Sequence, residues 1–155
     1  MQWRNLVWSR YSIPKTRIIC WLMALGKLRT KDNRHSIGVT DDDLCLLCAT
    51  ATETSANLFF ECSFSNLCLD GIKQWTRVKL KSVSTMDTQK FKLNRFQQQI
   101  RCAIYTSTVY YIWTTRNDAV WSGYVNRPDQ IVCRIKQEVK ARIAVISNGK
   151  QFPWL

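Results

Sequence analysis

A mainly α-helical domain carrying one small irregular knuckle-like loop or hairpin is the fold class that this sequence predicts. Three observations carry the prediction. Apolar residues recur at three- and four-residue steps over two long stretches, from Phe96 to Trp113 and from Ile131 to Ile146. Proline and glycine stand where such stretches begin and end, and few segments alternate as a half-buried strand would. With 155 residues, 46% of them hydrophobic and seven of them tryptophan, the chain fits one domain with a real core and is too apolar for disorder.

Taken in order, Pro14 fits the first turn of a helix on which Ile18, Ile19, Trp21, Leu22 and Leu25 are apolar and which ends near Gly26. Thr30 is placed to cap a short second helix that stops at Gly38. A small hairpin is expected around residues 44–50, and Thr54 or Ser55 caps a turn that carries Leu58 and Phe59 inward. Ser63 or Ser65 opens a helix over Leu67 to Leu80, with Leu69, Ile72 and Trp75 on one side of it. Residues 82–88 read as a connector. One long helix follows from about Gln89 to Ser122, although Thr106, Ser107, Thr108 and Val109 are only moderate helix formers. Gly123, Asn126 and Pro128 break it, and a last amphipathic helix places Ile131, Ile135, Val139, Ile143 and Ile146 on one face before Gly149 and Pro153.

Most of the aromatic side chains, Trp3, Trp8, Tyr11, Tyr110, Tyr111, Trp113, Trp121 and Tyr124, are expected in the core rather than stacked on bases, because they sit among apolar neighbours at helical spacing. Trp3, Trp8 and Trp154, near the termini, have a second reading as cover for the core or contacts to a partner.

The formal net charge of +12 favours a polyanionic partner, since neutralising phosphates releases counterions. The charge is uneven. Residues 41–62 hold Asp41, Asp42, Asp43, Glu53 and Glu61 and no lysine or arginine. Beyond them, Lys73, Arg77, Lys79, Lys81, Lys90, Lys92, Arg95 and Arg101 face the single acid Asp87. Lys73, Arg77 and Lys81 recur every four residues and form one stripe if the segment is helical; the alternative is an ordinary solvated helix face. Nucleic acid, RNA or single-stranded DNA, is expected to bind along this basic span. No base-reading motif accompanies it, so binding should be salt-dependent and weakly sequence-selective.

Cys45 and Cys48 have the Cys-x2-Cys spacing that lets one tight turn aim two thiolates at one metal ion, and Cys62 follows after thirteen intervening residues. A fourth donor is expected four or five residues before Cys62, where Asn57 stands. An amide oxygen is a poor zinc donor beside thiolate or imidazole. Two readings are therefore open, a weakened Zn2+ site and three structurally packed thiols, and ligand preference favours the second. His35, the one histidine, reaches the site only if its loop folds back, and Cys68 lies on a different helical face from Cys62. Cys20, Cys68, Cys102 and Cys133 read as ordinary thiols on helices.

These motifs, together with Pro14, Lys15, Trp21, Leu22, Leu28, Thr30, Glu53, Thr54, Leu58 and Phe59, resemble the zinc-binding region at the C-terminus of plant non-LTR retrotransposon reverse transcriptases. That family has histidine where this chain has Asn57. The segment YYIWTTRNDAVW, with Trp113, Arg116 and Asn117, is similar to the tail that follows this region in the same proteins, so the resemblance spans nearly the whole chain. It implies a degenerate zinc-binding region over residues 1–82 and a helical tail over residues 83–155 packed with it as one unit, both detached from the polymerase. Asp41, Asp42 and Asp43 lie in one short loop, and eleven acidic residues in all leave no convergent carboxylates for two-metal chemistry; no enzyme activity is expected.

The resulting expectation is a non-catalytic nucleic-acid-binding module. The alternatives are a host interaction factor that binds an acidic protein partner through its helical surface, and a functionless element remnant. The odd count of seven cysteines argues against a disulfide framework, and the apolar run IICWLMAL is too short to span a bilayer and is not placed like a signal peptide. An intracellular location, nucleus or cytoplasm, without membrane association is expected; the sequence does not define an oligomeric state.

Overall fold

A computed structural model describes residues 7–77, 80 and 95–147, among which the named elements are five α-helices and one π-helical turn. They are α1 (Pro14–Ala24), α2 (Lys31–Ser36), the π turn (Asn57–Glu61), α3 (Ser63–Thr76), α4 (Arg95–Ser122) and α5 (Pro128–Ile146). Among the described residues there is no strand, only an isolated antiparallel bridge between Leu44 and Thr52. The expected connector at 82–88, the start of the long helix at 89–94 and the boundary expected between residues 82 and 83 lie outside the described residues.

Local chemistry sets the helix ends. Pro14 occupies the first turn of α1, where its missing N–H costs nothing. Gly26 ends that helix with φ +63°, donating its N–H to Met23 O while Lys27 donates to Leu22 O, a paired closure that a side chain at position 26 would strain. Pro128 opens α5, where Gln130 reaches back to accept from the Arg127 N–H. α3 departs from expectation at both ends. It begins at Ser63 rather than Leu67, and it stops at Thr76 because Arg77 takes a left-handed φ of 58°. Lys73, in the last turn of α3, and Arg77, at its end, are both exposed, but the helix does not continue past Thr76 toward Leu80.

α4 runs through the middle of the molecule. Ile100, Ala103, Ile104, Tyr105, Val109, Ile112 and Trp113 are buried on it, and α1, α3 and α5 pack around it with Cys20, Met23, Ile72, Ile131, Ile135, Val139 and Ile143. The residues that weakened the helical pattern serve this packing. Thr106 and Thr108 satisfy their hydroxyls on the carbonyls of Ala103 and Ile104, at 3.1 and 2.8 Å, which hides their polarity inside the helix. Thr16 of α1 donates to Thr106 Oγ1 at 3.2 Å across the buried α1–α4 crossing, where two short side chains allow close approach. All the named elements except α2 contribute to one core cluster whose buried residues run from Val7 to Ile143.

Several aromatics leave the core that was expected to hold them. Tyr11 and Trp113 are buried, whereas Trp8, Trp121 and Tyr124 are exposed, Trp121 by 84%. Register explains Trp121: it falls five residues past the buried Arg116, about 140° around the helix. Arg101, counted in the basic span, is itself buried in α4. Lys79, Lys81, Lys90 and Lys92 lie outside the described residues, and Arg95 is exposed at the start of α4. No helix among the described residues is long and apolar enough to cross a membrane.

The α3–α5 contact rests on Gly71, where a Cβ would lie 2.8 Å from Val132 Cγ2. Gly71→Ala is expected to lower the unfolding free energy by about 1 kcal/mol, an overpacking cost of roughly 1–3 kcal/mol being partly offset by about 1 kcal/mol of helix propensity. In a denaturation series, Val132→Ala in the same chain should make the pair less costly than the sum of the two singles. Simple additivity would mean that the two side chains do not meet.

Candidate metal centre

The segment from Asp43 to Cys62 is a loop closed on itself by backbone pairing. Cys45 donates its N–H to Ala51 O at 2.8 Å, and Glu53 donates to Asp43 O at 2.7 Å, so the expected hairpin exists in minimal form and is centred on the bridge rather than on residues 44–50. Its tip is a turn in which Ala49 adopts φ 53° and donates to Cys45 O at 2.8 Å. Thr54 caps the following turn as expected, its hydroxyl accepting the Asn57 N–H at 3.0 Å.

That turn is a π-helix, for which residues 57–61 carry no local signal. Cys62 donates its N–H to Asn57 O at 2.8 Å, five residues back. In an α-helix, residues five apart diverge by about 140°; the wider i to i+5 turn draws them toward one side. It also delivers Cys62 to the N-cap position of α3, where Ser63 or Ser65 was expected. Ser65 instead donates its hydroxyl to Leu58 O, tying α3 to the π turn.

The sulfurs of Cys45, Cys48 and Cys62 all lie within 4.8 Å of one another, those of Cys45 and Cys62 at 3.9 Å. Zinc bound tetrahedrally at about 2.3 Å from each thiolate separates its sulfurs by roughly 3.8 Å. The donor set therefore fits zinc at three positions. Asn57, at the fourth expected position, is buried, and its Oδ1 has no hydrogen-bond partner among the described residues. His35 is exposed on α2 and Cys68 is buried on α3; neither joins the cluster.

The cluster already behaves as an anion site. The Cys62 thiol is pulled down to about 5, first by the hydrogen bond that the Cys45 thiol donates to it and also by the N–H groups of Ser65 and Phe64 at the start of α3. Cys45 moves the opposite way because its proton is held on the Cys62 sulfur, although the N–H groups of Cys48 and Leu47 also face it. Cys62 is thus the thiol of the pair favoured to ionise, and a metal ion binding there would displace the protons held by the other thiols.

A buried ion pair holds this loop in place. Glu53, fully buried, accepts from Arg116 Nε of α4 at 2.8 Å, with Arg116 Nη2 at 2.7 Å from the same oxygen. The Lys31 N–H donates to Glu53 Oε1 at 3.0 Å and the Leu46 N–H to Oε2 at 3.3 Å. One carboxylate therefore joins the α2 N-terminus, the Cys-x2-Cys turn and the central helix. It also does the capping expected of Thr30, whose hydroxyl turns to Asp32 instead. Arg116 stacks over Trp113 at 5.2 Å and donates to Asn117 Oδ1 at 3.1 Å.

Thiol cluster, closed loop and buried carboxylate all agree with one comparison. Residues 1–68 match the family model of zinc-binding in reverse transcriptase. The match takes in α1, α2, the thiol loop, the π turn and the start of α3, with all three clustered cysteines inside it. The rest of the matched segment's setting, including Arg116, comes from helices beyond the match. No curated protein and no solved structure matches the chain.

Cys62 ties acid stability to this cluster. Its folded value lies below the ordinary 9.0 of a free thiol, so its contribution is complete above that value and disappears as pH falls through about 5. Metal-free protein is expected to lose thermal stability progressively as pH is lowered from about 9 to about 5. Cys62→Ser should flatten that dependence, and an unchanged pH profile in the variant would assign the effect to another group.

Proposed function

We propose that the chain is a non-catalytic nucleic-acid-binding module derived from a retrotransposon protein, its thiol loop closed by Zn2+ in a site weakened by Asn57. The observation that carries the proposal is the convergence of three thiols at zinc-like spacing within the segment that matches a reverse-transcriptase zinc-binding region. Zinc there is structural: it cross-links the Cys-x2-Cys turn to the α3 N-terminus and offers no reacting position. Three thiolates supply most of the donor set, and a buried amide in place of imidazole lowers affinity without removing the site.

The partner follows from charge. A net charge of +12, with Lys73, Arg77 and Arg95 exposed, suits the phosphates of RNA or single-stranded DNA. The acidic segment 41–62 keeps the metal loop itself away from the strand. A second reading has an observation of its own: Ile18, Trp21 and Leu25 lie exposed along one side of α1, as they would for a protein partner.

Zinc content of protein purified without chelator, measured beside retention of single-stranded RNA at low and moderate salt, tests the proposal. Bound zinc, tighter binding and a higher Tm in Asn57→His, and RNA retention that falls with salt and with Lys73→Glu/Arg77→Glu are the expected results. Folded, metal-free protein that ignores RNA would sink it and favour the α1 surface.

A further inference from the structure

Two arginines from opposite ends of the chain meet at one carbonyl. Arg17, on α1, donates through Nη2 to Ser9 O at 2.7 Å and reaches Arg10 O at 3.4 Å. Arg142, on α5, donates through its own Nη2 to the same Arg10 oxygen at 3.5 Å. Both guanidinium groups are therefore within reach of a single atom, and like charges held this close repel. Each keeps a buried Nε–H with no hydrogen-bond partner among the described residues.

Among the described residues, no acid forms an ion pair with either of them, and Glu138, one helical turn before Arg142, is already paired with Lys15 at 3.0 Å. The flanking sequences 1–6 and 148–155 contain no Asp or Glu. Both side chains are only partly buried, so solvent and a ligand reach the pair from outside.

We propose that Arg17 and Arg142, at the turn formed by Ser9 and Arg10, constitute an oxyanion site that takes a phosphate group, in the first instance from a nucleic-acid backbone. Guanidinium groups suit this ligand because their planar N–H donors match phosphate oxygens and remain charged. A bound phosphate would offset the repulsion between the two guanidinium charges. Burial, and then the Arg142 charge, push the Arg17 guanidinium below its ordinary value, which is the direction that an anion would reverse. The backbone source rests on the nucleic-acid reading above; the oxyanion site itself does not. It would add to the exposed Lys73 and Arg77 a contact point built jointly by α1 and α5, distant from them in sequence.

Arg142→Gln, wild type and Lys73→Glu/Arg77→Glu are to be compared by thermal denaturation with and without pyrophosphate, and by single-stranded RNA retention across a salt series. Among the described residues the one hydrogen bond given for the Arg142 side chain is long, at 3.5 Å, so its variant is expected to fold. Without anion at low salt, Arg142→Gln is expected to melt a few degrees higher than wild type, through relief of repulsion. It should lose the upward Tm shift that pyrophosphate gives wild type, bind RNA more weakly, and show a salt slope reduced by about one. A lost pyrophosphate response with no RNA binding in wild type would support the site with free oxyanion as its source, and would count against the nucleic-acid reading alone. RNA binding and pyrophosphate response both unchanged in Arg142→Gln would overturn the site while the nucleic-acid reading stands. Absence of both responses in wild type would overturn both.

Discussion

Everything near the candidate metal centre depends on one buried carboxylate. Glu53 lies in a loop of a small protein, fully inside, where an unpaired charge would be intolerable. It is tolerated because Arg116 and two backbone N–H groups converge on it, giving the ion pair the extra hydrogen bonds that such pairs need to offset desolvation. The consequence is geometric. The first turn of α2, the Cys-x2-Cys turn and the central helix α4 cannot move independently, because each supplies a donor to the same two oxygens. The matched segment borrows one of its anchoring residues from a helix outside the match.

Given that anchor, the remaining features follow from how thiolates are stabilised. A π turn brings residues 57 and 62 around toward one another and sets Cys62 at the N-terminus of α3, where backbone N–H groups face its sulfur. The hairpin turn supplies N–H groups to Cys45 in the same way. These dipoles favour negative sulfur before any ion arrives, so the loop is shaped for a cation even with an amide at position 57. The arginine pair at Ser9 and Arg10 shows the opposite polarity: cations crowded together with acceptors too few for them. Thiol cluster and arginine pair thus occupy different parts of the fold.

Local signals in the sequence were read well where one residue decides the outcome. Pro14, Gly26 and Pro128 mark helix ends because their backbone preferences are intrinsic, and Ile131, Ile135, Val139 and Ile143 mark a buried face because helical period and burial coincide. The three clustered cysteines were legible from spacing. What was missed depends on partners far along the chain. Glu53 and Arg116 were both noticed as parts of a resemblance, but nothing local pairs residues 63 apart. The π turn has no composition of its own, and Arg77 gave no sign of the left-handed backbone that ends α3. Trp121 was expected inside because it is aromatic, although the register of α4 carries it outward. Arg17 and Arg142 were unremarkable singly and become a site only when α1 and α5 are packed.

The central claim is that the Glu53–Arg116 pair, and not the metal, sets the shape of the thiol loop. Amide hydrogen exchange on chelator-treated protein tests it most directly, read at the Leu46 and Lys31 N–H groups that donate to Glu53. The account expects both amides to be protected in metal-free wild type and to lose most of that protection in Arg116→Met, since breaking a buried pair costs about 3–5 kcal/mol. Fast exchange in the metal-free wild type, or protection unchanged in the variant, would contradict it.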